Sequence, residues 1–332
     1  MSYSTPNDST FGELIEKTYR RLMSGQREQT IQLSSAITGD VTGPPFVAAQ
    51  TTFSVTGVQT GTLAVGAQIA CEMEVMLITA FSGTTGTATV TVVRGYLGSS
   101  ASAHAAGALI YINPKYTRYD IGVAINDDLM DLSSPTNGLF QVNTATITYN
   151  PVYQGYDLGS AEVPKDFIDI LDIRYRVAPP THNFPPIRRW KIVRGIGTGL
   201  DSSGNAQTGT DSIFPSGYGV ILYERGWPGL PLYVTYSAPF TTLINLTDDV
   251  IADAGLPSTA TDLPSLGAEI DLTIPREIKR NFIEGQPDPR KPGEVPSGAI
   301  SNSVQALILR REKRIASEAD RLQRQYTRVR GW

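Results

Sequence analysis

The sequence predicts an α+β fold built mainly of antiparallel β modules, a small inserted one and then a larger sandwich- or barrel-like domain. These are flanked by an N-terminal helix and a long C-terminal helix. Three observations predict it. Thirty-one Gly and 22 Pro, set against 18% charged residues, favour many short strands joined by turns over a helix bundle. Two stretches, 46–112 and 145–240, carry Thr, Val and Ile at the period-two spacing of a half-buried strand. The end of the chain instead repeats Ile308, Ile315, Leu322 and Val329 every seven residues, the spacing of a helical seam.

In chain order, residues 1–45 read as an arm and a helix. Ser9-Thr10 is a capping signal, and Phe11, Leu14, Ile15 and Leu22 keep helical spacing. Ile31, Leu33 and Ile37 extend the expected helix to about Ile37, with Gly25 a point of interruption and Gly39 to Pro45 the stop. Residues 46–115 read as the small module, with strands at Thr52–Val58, Gln68–Ala80, Gly86–Arg94 and Ala108–Ile112. Within 116–144, Ile121, Ile125, Leu129 and Leu132 share one helical face from Tyr119 to Leu132, and Ser133-Ser134-Pro135 ends it.

The main β domain is expected over 145–245, with strands at Ala145–Tyr149, Phe167–Val177, Arg189–Val193, Tyr218–Glu224 and Leu232–Tyr236 and a long polar loop at Gly195–Ser216. Residues 246–298 read as helical segments: one from Thr247-Asp248-Asp249 to Gly255-Leu256-Pro257, another over Leu263–Ile283, broken or kinked at Pro275. A Pro/Gly linker follows at 285–297. Residues 299–332 form the last helix.

Charge is distributed unevenly. The net charge is −4, yet 301–332 holds eight basic and three acidic residues, so this segment carries +5 and the remainder −9. Such a segment suits an acidic protein partner or nucleic acid. No run approaches the roughly 18 uncharged apolar residues of a membrane span. The start of the chain lacks the pattern of a signal peptide, so a soluble protein made in the cytosol is expected.

Chemistry-bearing residues are sparse. The single cysteine, Cys71, allows no intrachain disulfide, and only His104 and His182 are available for acid–base work near neutrality. Gly195-Ile196-Gly197-Thr198-Gly199 lacks the spacing of a dinucleotide or phosphate loop. Ser216 is flanked by Phe214 and Tyr218 where a nucleophile elbow needs glycines. Asp166, Asp169 and Asp172 alternate with Phe167, Ile168, Ile170 and Leu171, as a strand does, and lack a calcium-loop glycine. We expect no catalytic residue, no metal and no cofactor, and His104 as a hydrogen-bonded structural residue.

The C-terminal helix is the strongest candidate for contact. Ile308, Ile315, Leu322 and Val329, with Ala319 and Tyr326, form a narrow apolar stripe, and Arg311, Arg314 and Arg324 stand among the arginines around it. Docking on another polypeptide, packing on its own domain and contact with phosphates are all open. The Pro/Gly linker favours a projecting arm, and the shortage of aromatics beyond Tyr326 and Trp332 weighs against nucleic acid.

Glu74-Val75-Met76-Leu77-Ile78-Thr79, then Val93-Arg94-Gly95-Tyr96-Leu97-Gly98-Ser99, Ala103-His104, Gly107 and Ile110, resemble a β module of tailed-bacteriophage structural proteins. The layout as a whole, with Leu263 to Ala268 and Leu309 to Ala319 leading into Leu322, resembles phage head-to-tail adaptor (connector) proteins. That resemblance implies a non-enzymatic virion protein assembled in the host cytoplasm. The resemblance further implies a homo-oligomeric ring, twelve-membered, between the portal protein and the next neck or tail protein (a terminator, stopper or tail tube), with DNA expected to pass through its lumen and the C-terminal helix expected to dock on the portal. The inserted module and the large second β region depart from the smallest adaptors, so collar, neck and tail-tube roles stay open. So does a receptor-binding or decoration role, for which only Trp190, Trp227 and Trp332 are available as glycan platforms.

Overall fold

The computed structural model describes residues 10–23, 26, 28–39, 50–150, 155–158, 163, 166–176, 184–194, 214, 217–224, 230–284 and 299–326. The chain is α+β and divides into two compact units. One comprises Met1–Asp128, Leu243–Val250 and Thr261–Glu312, the other Leu129–Thr242, Ile251–Ala260 and Lys313–Trp332.

The first unit begins with α1 (Phe11–Met23). Thr10 and Glu13 form a capping box: the Thr10 hydroxyl accepts the Glu13 N–H at 3.3 Å, and the Glu13 carboxylate accepts the Thr10 N–H at 3.4 Å. The Phe11 and Gly12 N–H groups donate to the Asp248 and Leu246 carbonyls, both at 2.9 Å, so this helix start leaves few donors unsatisfied. The helix stops at Met23. Residues 30–33 belong instead to β1 (Thr30–Leu33), which corrects the expected helix to Ile37. Burial alternates exposed-buried along Thr30, Ile31, Gln32 and Leu33, a period of two that helical spacing cannot produce.

β1 is the closing strand of a six-stranded antiparallel barrel. The others are β2 (Thr52–Val58), β3 (Gln68–Cys71), β4 (Glu74–Ser82), β5 (Gly86–Val93) and β6 (Leu109–Ile112), in the order β1-β2-β5-β4-β3-β6. Ile31 faces Ile110 across the β1–β6 pair, which removes the edges β2 and β6 would otherwise expose. Ile31, Val55, Ile69, Met76, Val90 and Ile110 fill the interior, and the sole cysteine, Cys71, is fully buried there.

Between β5 and β6 the chain makes a tight tip. Gly95, Leu97 and Gly98 all take left-handed φ values, of 62, 56 and 86°. Leucine in that conformation is strained by roughly 1–2 kcal/mol, and Leu97 is 56% exposed, so it loses little by substitution. Leu97→Asn should therefore raise stability by about 0.5–1 kcal/mol in thermal unfolding. A decrease would mean that the leucine side chain contributes packing there.

α2 (Arg118–Leu132), capped by the Thr117 hydroxyl, buries Ile121, Ala124 and Ile125, and the unit boundary falls within it. α3 (Leu263–Glu284) continues through Pro275 rather than breaking there. Pro275 has no N–H, so the helix forgoes the bond that position would donate. Residues 247–255 are turns, not the expected helix. The Asp248 carboxylate accepts the N–H groups of Ile244 (2.9 Å) and Asn245 (2.7 Å), a local alternative to helical bonding. Those bonds hold its carboxyl below the usual aspartate value.

The second unit is a pair of three-stranded antiparallel sheets, as expected of a sandwich. One is β7 (Gln141–Thr148), β12 (Pro231–Ala238) and β9 (Asp169–Tyr175), ordered β7-β12-β9. The other is β10 (Trp190–Arg194), β11 (Tyr218–Leu222) and β8 (Gly155–Asp157), ordered β10-β11-β8. Tyr156, Ile173, Trp190, Val220, Leu232 and Val234 share one core. The three-residue β8 had no counterpart in the sequence reading. Of the Gly195–Ser216 loop only Phe214 is among the described residues, and the 285–297 linker lies outside them. The last helix is α4 (Ala299–Gln325).

Candidate functional site

Among the described residues, two groups of charged residues and a cleft bear most directly on the chemistry. The first group braces one end of the barrel. Glu74 opens β4 and is fully buried. Arg94, just after β5, meets it bidentately, Nε to Oε1 at 2.5 Å and Nη2 to Oε2 at 2.6 Å. The same guanidinium donates to the carbonyls of Thr38, Gln50 and Ser102. The Gly95 and Ser102 N–H groups donate to Glu74 as well. Every donor direction of one planar fork is thus used on backbone or carboxylate, which lysine could not reproduce.

His104 completes the brace. Its Nε2 lies 2.8 Å from Glu74 Oε2 and its Nδ1 2.9 Å from Glu72 Oε2. Both ring nitrogens face carboxylates, which accept only, so both carry protons and the ring is an imidazolium. Burial alone would lower its pKa; hydrogen bonding to Cys71, Glu74 and Glu72 outweighs that and pushes it up to about 10. Burial alone would raise the Glu74 carboxyl, and the bonds from Arg94 and His104 instead hold it below its ordinary 4.5. Four charges of alternating sign, all bonded, make a structural lock, in line with the sequence expectation for His104.

The lock makes stability depend on pH in a defined direction. The folded pKa of His104 lies above its ordinary 6.5, so its contribution is complete below about 6.5 and is lost as pH rises towards 10. The folded pKa of Glu74 is depressed, so its contribution is present above about 4.5 and is lost on acidification. Unfolding midpoints measured across pH should fall on both sides of that interval, and His104→Gln should flatten the alkaline limb. An unchanged alkaline limb would contradict the imidazolium.

The second group lies on α4, where the structure corrects the sequence expectation of a projecting rod. Ile315 and Leu322 of the apolar stripe are buried within the chain, and Ile308, Ala319 and Tyr326 are half-buried; Val329 lies outside the described residues. Arg311 reaches the buried Asp128 on α2 at 2.5 Å. Arg314 donates to the Thr259 carbonyl at 2.7 Å and to Glu318 at 3.3 Å. Glu318, buried, also receives Arg321 Nε at 2.8 Å and the Thr259 hydroxyl at 2.9 Å. Arg324, 79% exposed, pairs with Asp320 one turn earlier. The seam therefore already has its cover, because the face that carries Ile315 and Leu322 also carries the residues bonded to the chain's own carboxylates and carbonyls.

From the sequence, Glu74 is named only within the resemblance, without a role, and Asp128 is not singled out. Glu74 left a signal, as one of two carboxylates, with Glu72, in the otherwise apolar run Ala70 to Ile78; Asp128 left none, since its partner lies 183 positions away. In the second unit a cleft of about 450 Å³ is lined by Met130, Gln141, Asn143, Asp166, Pro239 and Thr242, among others. Among the described residues no cluster of three or more His, Cys, Asp or Glu could hold a metal, and no helix is long and apolar enough to cross a membrane.

An α+β chain with a braced barrel, a two-sheet unit and a self-covered terminal helix is the class these observations define. No family model and no curated protein matches the sequence.

Proposed function

We propose that the chain is a structural protein of a tailed-bacteriophage virion, a head-to-tail adaptor that forms a ring between the portal and the next neck or tail protein. One observation carries this reading: the residues on which the resemblance rests are those that lock the barrel. Arg94 and His104 spend their polar groups on Glu74, Glu72 and backbone carbonyls, and Gly95 and Gly98 shape the tip beside them. A module whose distinctive residues are consumed in holding backbone supports assembly rather than turnover. The acidic body, −9 outside residues 301–332, suits a channel that lets a polyanion pass without trapping it.

We assign the portal contact to a different surface from the one expected of the sequence. Ile315 and Leu322 are covered within the chain, which supports placing the portal contact on surfaces other than the apolar stripe. The test is cryo-imaging of DNA-filled, tailless heads incubated with the purified chain. We expect a ring coaxial with the portal, twelve-membered as the resemblance implies. Heads that recruit no chain, or chain displayed away from the portal vertex, would overturn the proposal.

A further inference from the structure

We infer that neighbouring copies of this chain associate by seating a basic side chain of α4, Lys313, in the Asp166 cleft of the next copy. This rests on the ring reading above and names the contact between its subunits.

The basic residues described on α4 do not stand alike. Arg311, Arg314, Arg321 and Arg324 each meet a carboxylate of their own chain. Arg310 and Lys313 are exposed, and no carboxylate within ion-pair distance is found for either among the described residues. Helical spacing places Lys313 in the middle of the outward face, one turn from Leu309, which is 55% exposed. Ala316 and Ser317, both small and exposed, leave the lysine unobstructed on its C-terminal side. A cation with no carboxylate at home, standing clear on an exposed helix face, is placed to pair with an acidic group of another molecule.

The cleft offers the complement. Asp166 supplies a carboxylate at its rim, exposed to solvent, while Met130, 50% exposed, and Pro239 supply apolar wall. Gln141 donates its amide to the Pro239 carbonyl at 2.5 Å, so that side chain is already engaged and Asp166 is the charge that remains. Lysine fits such a place because its four-carbon stem packs on apolar wall while its ammonium meets the carboxylate. A small cation would gain nothing from Met130 and Pro239. Cleft and ridge are different surfaces, so the contact can repeat head to tail, the arrangement that generates a ring when the rotation closes.

The experiment is sedimentation equilibrium on the full chain, comparing wild type with Asp166→Lys, Lys313→Glu and the double variant, with circular dichroism as the control for folding. Each single reversal should weaken self-association by about tenfold or more. The double variant, which restores opposite charges across the contact, should recover most of it. A wild-type assembly indifferent to both reversals, or a double variant no better than the singles, would overturn this inference alone. A wild-type chain that stays monomeric throughout would also overturn it, whereas the ring reading stands or falls on recruitment to filled heads.

Discussion

Glu74→Ala is expected to cost about 3–5 kcal/mol, the loss that follows when one partner of a buried ion pair is removed and the other stays. Here two cations would be stranded. Arg94 and His104 have side-chain exposures of 4% and 0%, and both bond to that one carboxylate. The Gly95 and Ser102 N–H groups would lose their acceptor in the same step. Chemical denaturation of the full chain, with the variant and wild type compared at pH 6, measures the loss; a change below about 1 kcal/mol would mean that water replaces the carboxylate at little cost. Adding Arg94→Met and His104→Leu to Glu74→Ala should recover part of the loss, because a buried ionic group replaced as a set by apolar residues leaves no stranded charge.

Gly267→Ala is expected to be the second most damaging single change, at about 3 kcal/mol or more. A β-carbon at Gly267 on α3 would overlap the carboxylate of Asp128 on α2, the group to which Arg311 on α4 is bonded. The methyl cannot be admitted without moving that carboxylate, and moving it breaks the ion pair. A double-mutant cycle isolates the cause: with Asp128→Ala already present, Gly267→Ala should add little. Full additivity would place the damage in helix packing rather than in the carboxylate.

The parts of the fold legible in the sequence were those whose pattern is local and long. Thr52–Val58 and Gly86–Val93 alternate for seven and eight residues and appear as read. Phe11 to Met23 keeps a helical face and a capping pair. Short or tertiary-determined elements were not legible. β1 has four residues and follows a helix, so Ile31 and Leu33 extended the helical pattern until the barrel, which needs a closing strand, decided the matter. Residues 247–255 carry acceptable helix signals, but the Asp248 side chain offers Ile244 and Asn245 a competing set of bonds. On α4 the apolar stripe was legible as a seam that needs a cover, of which Ile315 and Leu322 are buried. Which polypeptide buries it depends on Asp128 and Thr259, residues distant in sequence whose placement no periodicity reveals.

Cys71 sits wholly inside the barrel, shielded from solvent by the same strands that enclose Ile69 and Met76. The native protein is consequently silent towards thiol reagents in its folded form, and any cysteine added on the surface becomes a unique attachment point without prior removal of the natural one. Ser317→Cys, on the solvent side of α4, would accept a single fluorophore and turn subunit encounter into an optical signal.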